Sequence, residues 1–183
     1  MEYFNVDVLL LWECGEVGIG LNPKLWDPMI RRICGPGFSV THQGHYTSIV
    51  KLATMQITAE PSLQGPLTTW VGHEYRMCQH LQVALKDSVA KPIDIYNVHS
   101  PASKKHPLIA TVRQDILKWF RLNVKSCALI GGDLNSSLPS LDDVLKDDPK
   151  IHYCSDYQLK PARGMKTQTA FVVIADVLSL IHI

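Results

Sequence analysis

An excess of charge of either sign is the first thing this sequence lacks. Its 18 Lys and Arg stand against 17 Asp and Glu, for a net charge of +1. No global basic field points to a nucleic-acid polyanion, although a local cleft can be basic in a neutral protein. A disulfide framework is lacking too. The five cysteines, Cys14, Cys34, Cys78, Cys127 and Cys154, are odd in number and none forms a Cys-x-x-Cys pair. That pattern argues against a zinc site and a stapled secreted scaffold, and for free thiols in a reducing compartment. No apolar run is long enough to span a membrane. The start Met1-Glu2-Tyr3 is acidic where a secretory leader is basic. These absences point to an intracellular protein without membrane association. Repeats, low-complexity tracts and linkers are missing as well. What is left, at 183 residues with ordinary apolar and charged fractions, is a single domain able to bury a real core.

The chemistry is concentrated between Ser126 and Ser137. Ala128-Leu129-Ile130 is a short apolar run that ends in Gly131-Gly132, then delivers Asp133 and, two residues on, Asn135. Alternation along a strand projects Asp133 and Asn135 together from its end. The two glycines remove side chains just before them, so a substrate or metal can approach the backbone. Carboxylate oxygen is a hard ligand suited to Mg2+, and a carboxamide N–H donates to a phosphate oxygen. The pattern reads as a place where metal and phosphoryl group meet. The same composition also suits an ordinary turn, so the rest of the chain has to decide.

The run Val6 to Trp12 predicts a strand covered on both faces, closing at Glu13. Residues 15–37 read as loop, with a helical turn or two around Leu25, Trp26, Met29, Ile30 and Ile33. Tyr46 to Ile57, rich in Ile, Val and Thr and free of Gly and Pro, predicts one strand, and Glu60 to Gly72 a loop. Tyr75 to Leu85 and Pro92 to Val98 predict two more strands, the second ending at His99. Leu108, Ile109, Val112, Ile116, Trp119 and Phe120 recur at helical spacing behind Pro107. Leu138, Leu141, Val144 and Leu145 predict a short helix; Ile151 to Cys154 and Phe171 to Ile174 predict brief strands. Strand, helix and strand in succession, with polar residues at strand ends, suit an α/β or layered α+β domain that binds ligands at those ends.

Three strand ends thus carry Glu13, then His99, then Asp133 with Asn135. In that order, Asp7 to Cys14 (Asp-Val-Leu-Leu-Leu-Trp-Glu-Cys), Asn97-Val98-His99-Ser100-Pro101 and Gly131-Gly132-Asp133-Leu134-Asn135 resemble motifs of the endonuclease/exonuclease/phosphatase superfamily. These are its Asp-(apolar)-Gln-Glu strand, with Trp12 in place of Gln, its Asn-x-His block and its Gly-Asp-Phe-Asn motif. The resemblance runs from about residue 6 to about residue 138.

The resemblance implies an α/β fold, a layered α/β/β/α sandwich of two packed, mostly antiparallel sheets with outer helices. It implies a phosphodiesterase dependent on Mg2+, or on Mn2+ in its place, most readily an endonuclease acting on nucleic acid, with DNA favoured, of a kind also found in mobile-element proteins. Glu13 and Asp133 would hold the metal. His99 would donate to a phosphate oxygen or the leaving group, its ordinary pKa letting it hold a proton near neutrality. Asp133 would also orient or deprotonate the attacking water, and Asn135 would hold a phosphate oxygen. Lys51, Lys91, Lys104, Lys105, Arg113 and Arg163 offer phosphate contacts, Lys104-Lys105 behind the His99 loop being the best placed.

Two family elements have no counterpart: an Asn-bearing strand upstream of the metal Glu, and a closing Ser-Asp-His block. Asn5 lies too near Glu13, His182 has no Asp before it, and Ser155-Asp156 is followed by Tyr157. The expectation is a domain over residues 1–183 that is incomplete at both ends, with impaired activity. The competing reading is a non-catalytic binding module that keeps the fold. Oligomeric state is not legible.

Overall fold

A computed structural model of the chain describes residues 6–12, 23–65, 77–99, 115–116, 118–120, 122–124, 128–133, 151–153 and 170–175, with the backbone alone for 23–26, 133, 151–153 and 170–175. The apolar run near the N-terminus forms strand β1 (Val8–Leu11). It pairs antiparallel with β3 (Tyr46–Lys51), which pairs on its other side with β2 (Phe38–Gln43), giving a three-stranded sheet in the order β1-β3-β2. The second sheet takes β4 (Met55–Gln64), β5 (Cys78–Leu85), β6 (Ile93–His99), β7 (Ala128–Asp133), β8 (Ile151–Tyr153) and β9 (Ala170–Ala175). Its order is β4-β5-β6-β7-β9-β8, and among the described residues its only parallel pair is β6 with β7.

The two sheets face each other through an apolar cluster. Val50 of β3, Met55 of β4, Leu81 and Val83 of β5 and Ile95 of β6 are buried there, with Val8, Leu10 and Leu129 packed against them. Burying each such side chain contributes about 1.5–3 kcal/mol. Helix α1 (Pro23–Cys34) packs beside β2. A second helical stretch, within residues 115–123, lies on the outer face of the larger sheet. Its Phe120 and Trp119 rings meet Tyr96 edge-on at 5.4 and 6.4 Å, and Ile116 and Phe120 are buried. Parallel strands need a crossover connection, and this helix sits in the one joining β6 to β7. The expected layered sandwich of two mostly antiparallel sheets with helices outside is therefore what the chain forms.

Several local expectations change. Residues 46–57 are not one strand. The chain turns at 52–54 and moves from one sheet to the other. No Gly or Pro marks this turn, because Asp7 holds it from afar: its carbonyl accepts from Lys51 N–H at 2.8 Å and its carboxylate accepts from the Thr54 hydroxyl at 2.6 Å. The loop expected from residue 60 begins late, since β4 runs on to Gln64 through Pro61. An edge strand with register shifts tolerates a residue without an N–H, and β4 is such a strand, shifting between Ile57 and Ala59 and again between Ala59 and Ser62. The turn or two of helix around Met29 is a full 12-residue helix despite Pro28 inside it. It ends at Gly35, whose φ of 72° and N–H to the Arg31 carbonyl at 3.0 Å make a left-handed cap. The expected helix at 138–145 lies outside the described residues. No helix among the described residues is long and apolar enough to cross a membrane.

Candidate active site at the polar end of the sandwich

The inward-facing positions change character along β3, β5 and β6. On β6 they run Ile93, Ile95, Asn97, His99; on β5, read backwards, Val83, Leu81, Gln79; on β3, read backwards, Val50, Ser48, Tyr46. One end of the sandwich is apolar and the other is polar, although both are buried. Gln79 and Asn97 are 0% exposed and His99 5%. Buried polar groups cost stability unless they are hydrogen-bonded, so a whole polar end signals a site rather than a core.

The partners of these groups tie the strand ends together. Asn97 Nδ2 donates to the carbonyl of Leu11 at 2.9 Å, pinning the end of β1 to β6. Leu11 stands two residues before Glu13, and Asn97 two before His99. The Tyr46 hydroxyl donates to the Met77 carbonyl at 2.7 Å and accepts from the backbone N–H of His99 at 3.2 Å. Gln79, opposite Asn97, reaches the Thr41 carbonyl and Gln43 Oε1, each at 3.4 Å. Gln43 in turn donates to the Pro61 carbonyl at 2.6 Å. Asn97 Oδ1 is buried and has no hydrogen-bond partner among the described residues.

On the next strand, parallel pairing sets His99 opposite Asp133 and Val98 opposite Gly132. Gly132 has φ of 135°, a value L side chains rarely adopt, and a Cβ there would lie 1.9 Å from the Val98 carbonyl oxygen. The missing side chain thus makes room for the neighbouring strand, where the sequence pointed to room for a ligand. β7 can run straight into Asp133 beside His99 because Gly132 permits this backbone.

Of the residues singled out in sequence, the structure brings together the end of β6 with His99 and the end of β7 with Asp133. Glu13 and Asn135 lie outside the described residues, as do Lys104, Lys105, Arg113 and Arg163. Lys51 and Lys91 are not at this site. Lys51 closes β3 at the end opposite Tyr46, roughly 16 Å away at about 3.3 Å per residue, and Lys91 is exposed before the start of β6, opposite the end that carries His99. Sequence reasoning missed His45, whose ring stands edge-on to His99 at 5.7 Å. It also missed Tyr46 and Gln79 as site residues. The available signal was Gly44-His45 between two β-rich runs, a two-residue hairpin.

Among the described residues no three His, Cys, Asp or Glu side chains converge to hold a metal ion. The buried Oδ1 of Asn97, without a hydrogen-bond partner among the described residues, is an oxygen donor of the hard kind that a divalent cation takes.

No family model and no curated protein matches the chain. Solved structures do. An endonuclease/exonuclease/phosphatase family protein from Bacteroides thetaiotaomicron superposes with a TM-score of 0.68 at 12% identity, over 95% of this chain and 70% of that one. D. rerio TDP2 complexed with single-strand DNA product gives 0.66 at 11%, over 96% and 73%. A mannosyl-6-phosphatase from Bacteroides thetaiotaomicron gives 0.65 at 14%, over 95% and 73%. The chain has the fold of the endonuclease/exonuclease/phosphatase superfamily. That fold is one on which hydrolases are built, the mannosyl-6-phosphatase among them.

Proposed function

We propose that this chain is a divalent-metal-assisted phosphodiesterase acting on nucleic acid. The observation that carries the reading is the opposition of His99 and Asp133 across β6 and β7, at the polar end of an otherwise apolar sandwich. Mg2+, or Mn2+, would be held by Glu13 and Asp133, and when bound it would neutralise phosphate charge and stabilise the charge that develops in the transition state. His99 donates a proton or hydrogen bond to a phosphate oxygen or to the leaving oxygen. Asp133 orients the attacking water and takes its proton. Asn135 holds a phosphate oxygen through its carboxamide N–H. Asn97 keeps the end of β1, and with it the approach to Glu13, fixed against β6.

DNA is the favoured substrate because a TDP2 structure with this fold is complexed with single-strand DNA product. A second reading, hydrolysis of a sugar phosphate monoester, is favoured by the mannosyl-6-phosphatase of the same fold. One experiment tests both. Single-stranded DNA, duplex DNA, RNA and mannose 6-phosphate are incubated with the chain in Mg2+, Mn2+ or EDTA, beside His99→Ala and Asp133→Ala. Metal-dependent cleavage of DNA that both substitutions remove is the expected result. Cleavage of mannose 6-phosphate alone would replace the first reading by the second, and no metal-dependent turnover on any substrate would sink both.

A further inference from the structure

The buried polar groups at this end sit within strands, whereas the half-buried His45 comes from a turn. Gly44 and His45 are the central residues of the hairpin joining β2 to β3, closed by the Gln43–Tyr46 pair. Gly44 has φ of 61° while His45 stays out of the positive region. That sign pattern belongs to a type II′ turn, which takes Gly first and matches the twist of its strands. The hairpin tip is thereby fixed at the polar end of the sandwich. The His45 ring lies 4.1 Å from the ring of Tyr46 and 5.7 Å from that of His99, the two imidazole planes standing at 89°. His45 Nε2 and His99 Nδ1 are both shielded from solvent.

Two different degrees of freedom of His99 have to be held. Its backbone is held by strand pairing and by the Tyr46 hydroxyl. Its ring is a separate matter, because the last torsion of a histidine is broad and nearly two-fold. Rotation of the ring plane about that torsion swings the N–H off its target. An edge-to-face neighbour opposes that rotation, since aromatic rings at this separation prefer the perpendicular arrangement. We infer that His45 is a positioning residue for His99, its ring holding the His99 imidazole in the plane from which it addresses the phosphoryl group. The adjacent residues His45 and Tyr46 thus fix the ring and the backbone of the same histidine. The consequence for turnover rests on the phosphodiesterase reading; the consequence for ring orientation does not.

The test therefore has two arms. In the first, His45→Ala lowers kcat on DNA about tenfold to a hundredfold with KM little changed, the size of effect that misplacing a reacting group produces. His45→Phe, which keeps a ring edge without its nitrogens, restores most of the loss. In the second arm, without substrate or metal, the 15N–1H correlations of the His99 ring are recorded in the full chain. They shift and broaden in His45→Ala and return toward the wild-type position in His45→Phe. Thermal melts confirm that each variant is folded. Wild-type kcat in folded His45→Ala, a loss that His45→Phe does not restore, or His99 ring signals indifferent to both substitutions would overturn the assignment. A wild-type chain without metal-dependent hydrolysis would instead remove the phosphodiesterase reading, and the ring spectra would still decide whether His45 holds His99.

Discussion

His99 and Asp133 are direct neighbours across the parallel pair β6 and β7 of the six-stranded sheet, each the last residue of its strand. Their separation in sequence is 34 positions (133 minus 99), and the crossover between them closes that gap. If the pair works on a phosphoryl group, removing either side chain should cost activity without unfolding the chain. His99→Ala is expected to lower kcat/KM roughly 100- to 10,000-fold, the range for loss of a positioned acid. Steady-state cleavage assays beside thermal melts check this. Full activity in either folded variant would exclude that residue from the chemistry.

Gly132 should be intolerant of any side chain. Its φ of 135° is strained for an L-residue, and a Cβ would lie 1.9 Å from Val98 O. Backbone strain of about 1–3 kcal/mol adds to an overlap of similar cost, about 1–3 kcal/mol. Gly132→Ala is expected to lose about 3 kcal/mol or more in urea unfolding, with activity falling as the fold is lost. A melt indistinguishable from wild type would contradict the strand geometry.

Asn97→Leu keeps volume but removes the donor to the Leu11 carbonyl. Leaving this half-buried acceptor without its partner costs toward the lower end of about 1–3 kcal/mol. Because that bond pins the end of β1, the substitution should also blunt the rise in Tm that Mg2+ produces, whereas a distant destabilising change such as Val83→Ala should leave that rise intact. Scanning calorimetry with and without Mg2+ separates the two.

Tyr46→Phe takes one hydroxyl away from two backbone groups, the Met77 carbonyl and the His99 N–H. The expected loss is about 1–3 kcal/mol. Hydrogen exchange at the His99 amide should accelerate more than exchange at Ile95, deeper on the same strand. Equal acceleration at both would mean that the hydroxyl stabilises the sheet as a whole and not this strand end.

Burial pushes the Cys78 thiol up from about 9 to about 12, the backbone hydrogen bond opposing it only in part. Burial, with Asp94 and Cys78 nearby, likewise raises the Tyr96 phenol from about 10 to about 12. Both folded-state pKa values lie above the unfolded ones, so between about pH 9 and 12 the folded chain binds more protons than the unfolded chain. Stability is then fully present below that window and falls as pH rises through it. Urea midpoints at pH 8, 9.5 and 11 should decline in that order, and Cys78→Ala should flatten the decline. At pH 8 a thiol reagent should label Cys34, which is partly exposed, well before Cys78, which is buried. Equal labelling rates would place Cys78 outside the core.

Much of the fold could be read locally. The runs Val8–Leu11, Ile93–His99 and Ala128–Asp133 are strands in the sequence and in the structure, because apolar and β-branched runs bounded by turn residues have few other uses. The brief strands at Ile151–Tyr153 and Ala170–Ala175 were legible for the same reason. The sheet switch at 52–54 was not, since its anchor Asp7 lies 47 residues from Thr54. Long-range capture of a turn leaves no local signature.

The sequence by itself determined which polar side chains close the apolar runs, because a carboxylate or imidazole ending such a run is visible in one dimension. Only the tertiary structure decided which ends meet. Pairing register put His99 beside Asp133, sent Lys51 and Lys91 to the far end, and gave Gly132 to Val98 rather than to a ligand. It also brought His45 and Tyr46 from a hairpin to His99, a contact between residues whose spacing in sequence carries no periodicity to betray it. Propensity and burial act along the chain, whereas register and sheet choice are settled by which faces find each other, and the site exists only where those choices coincide.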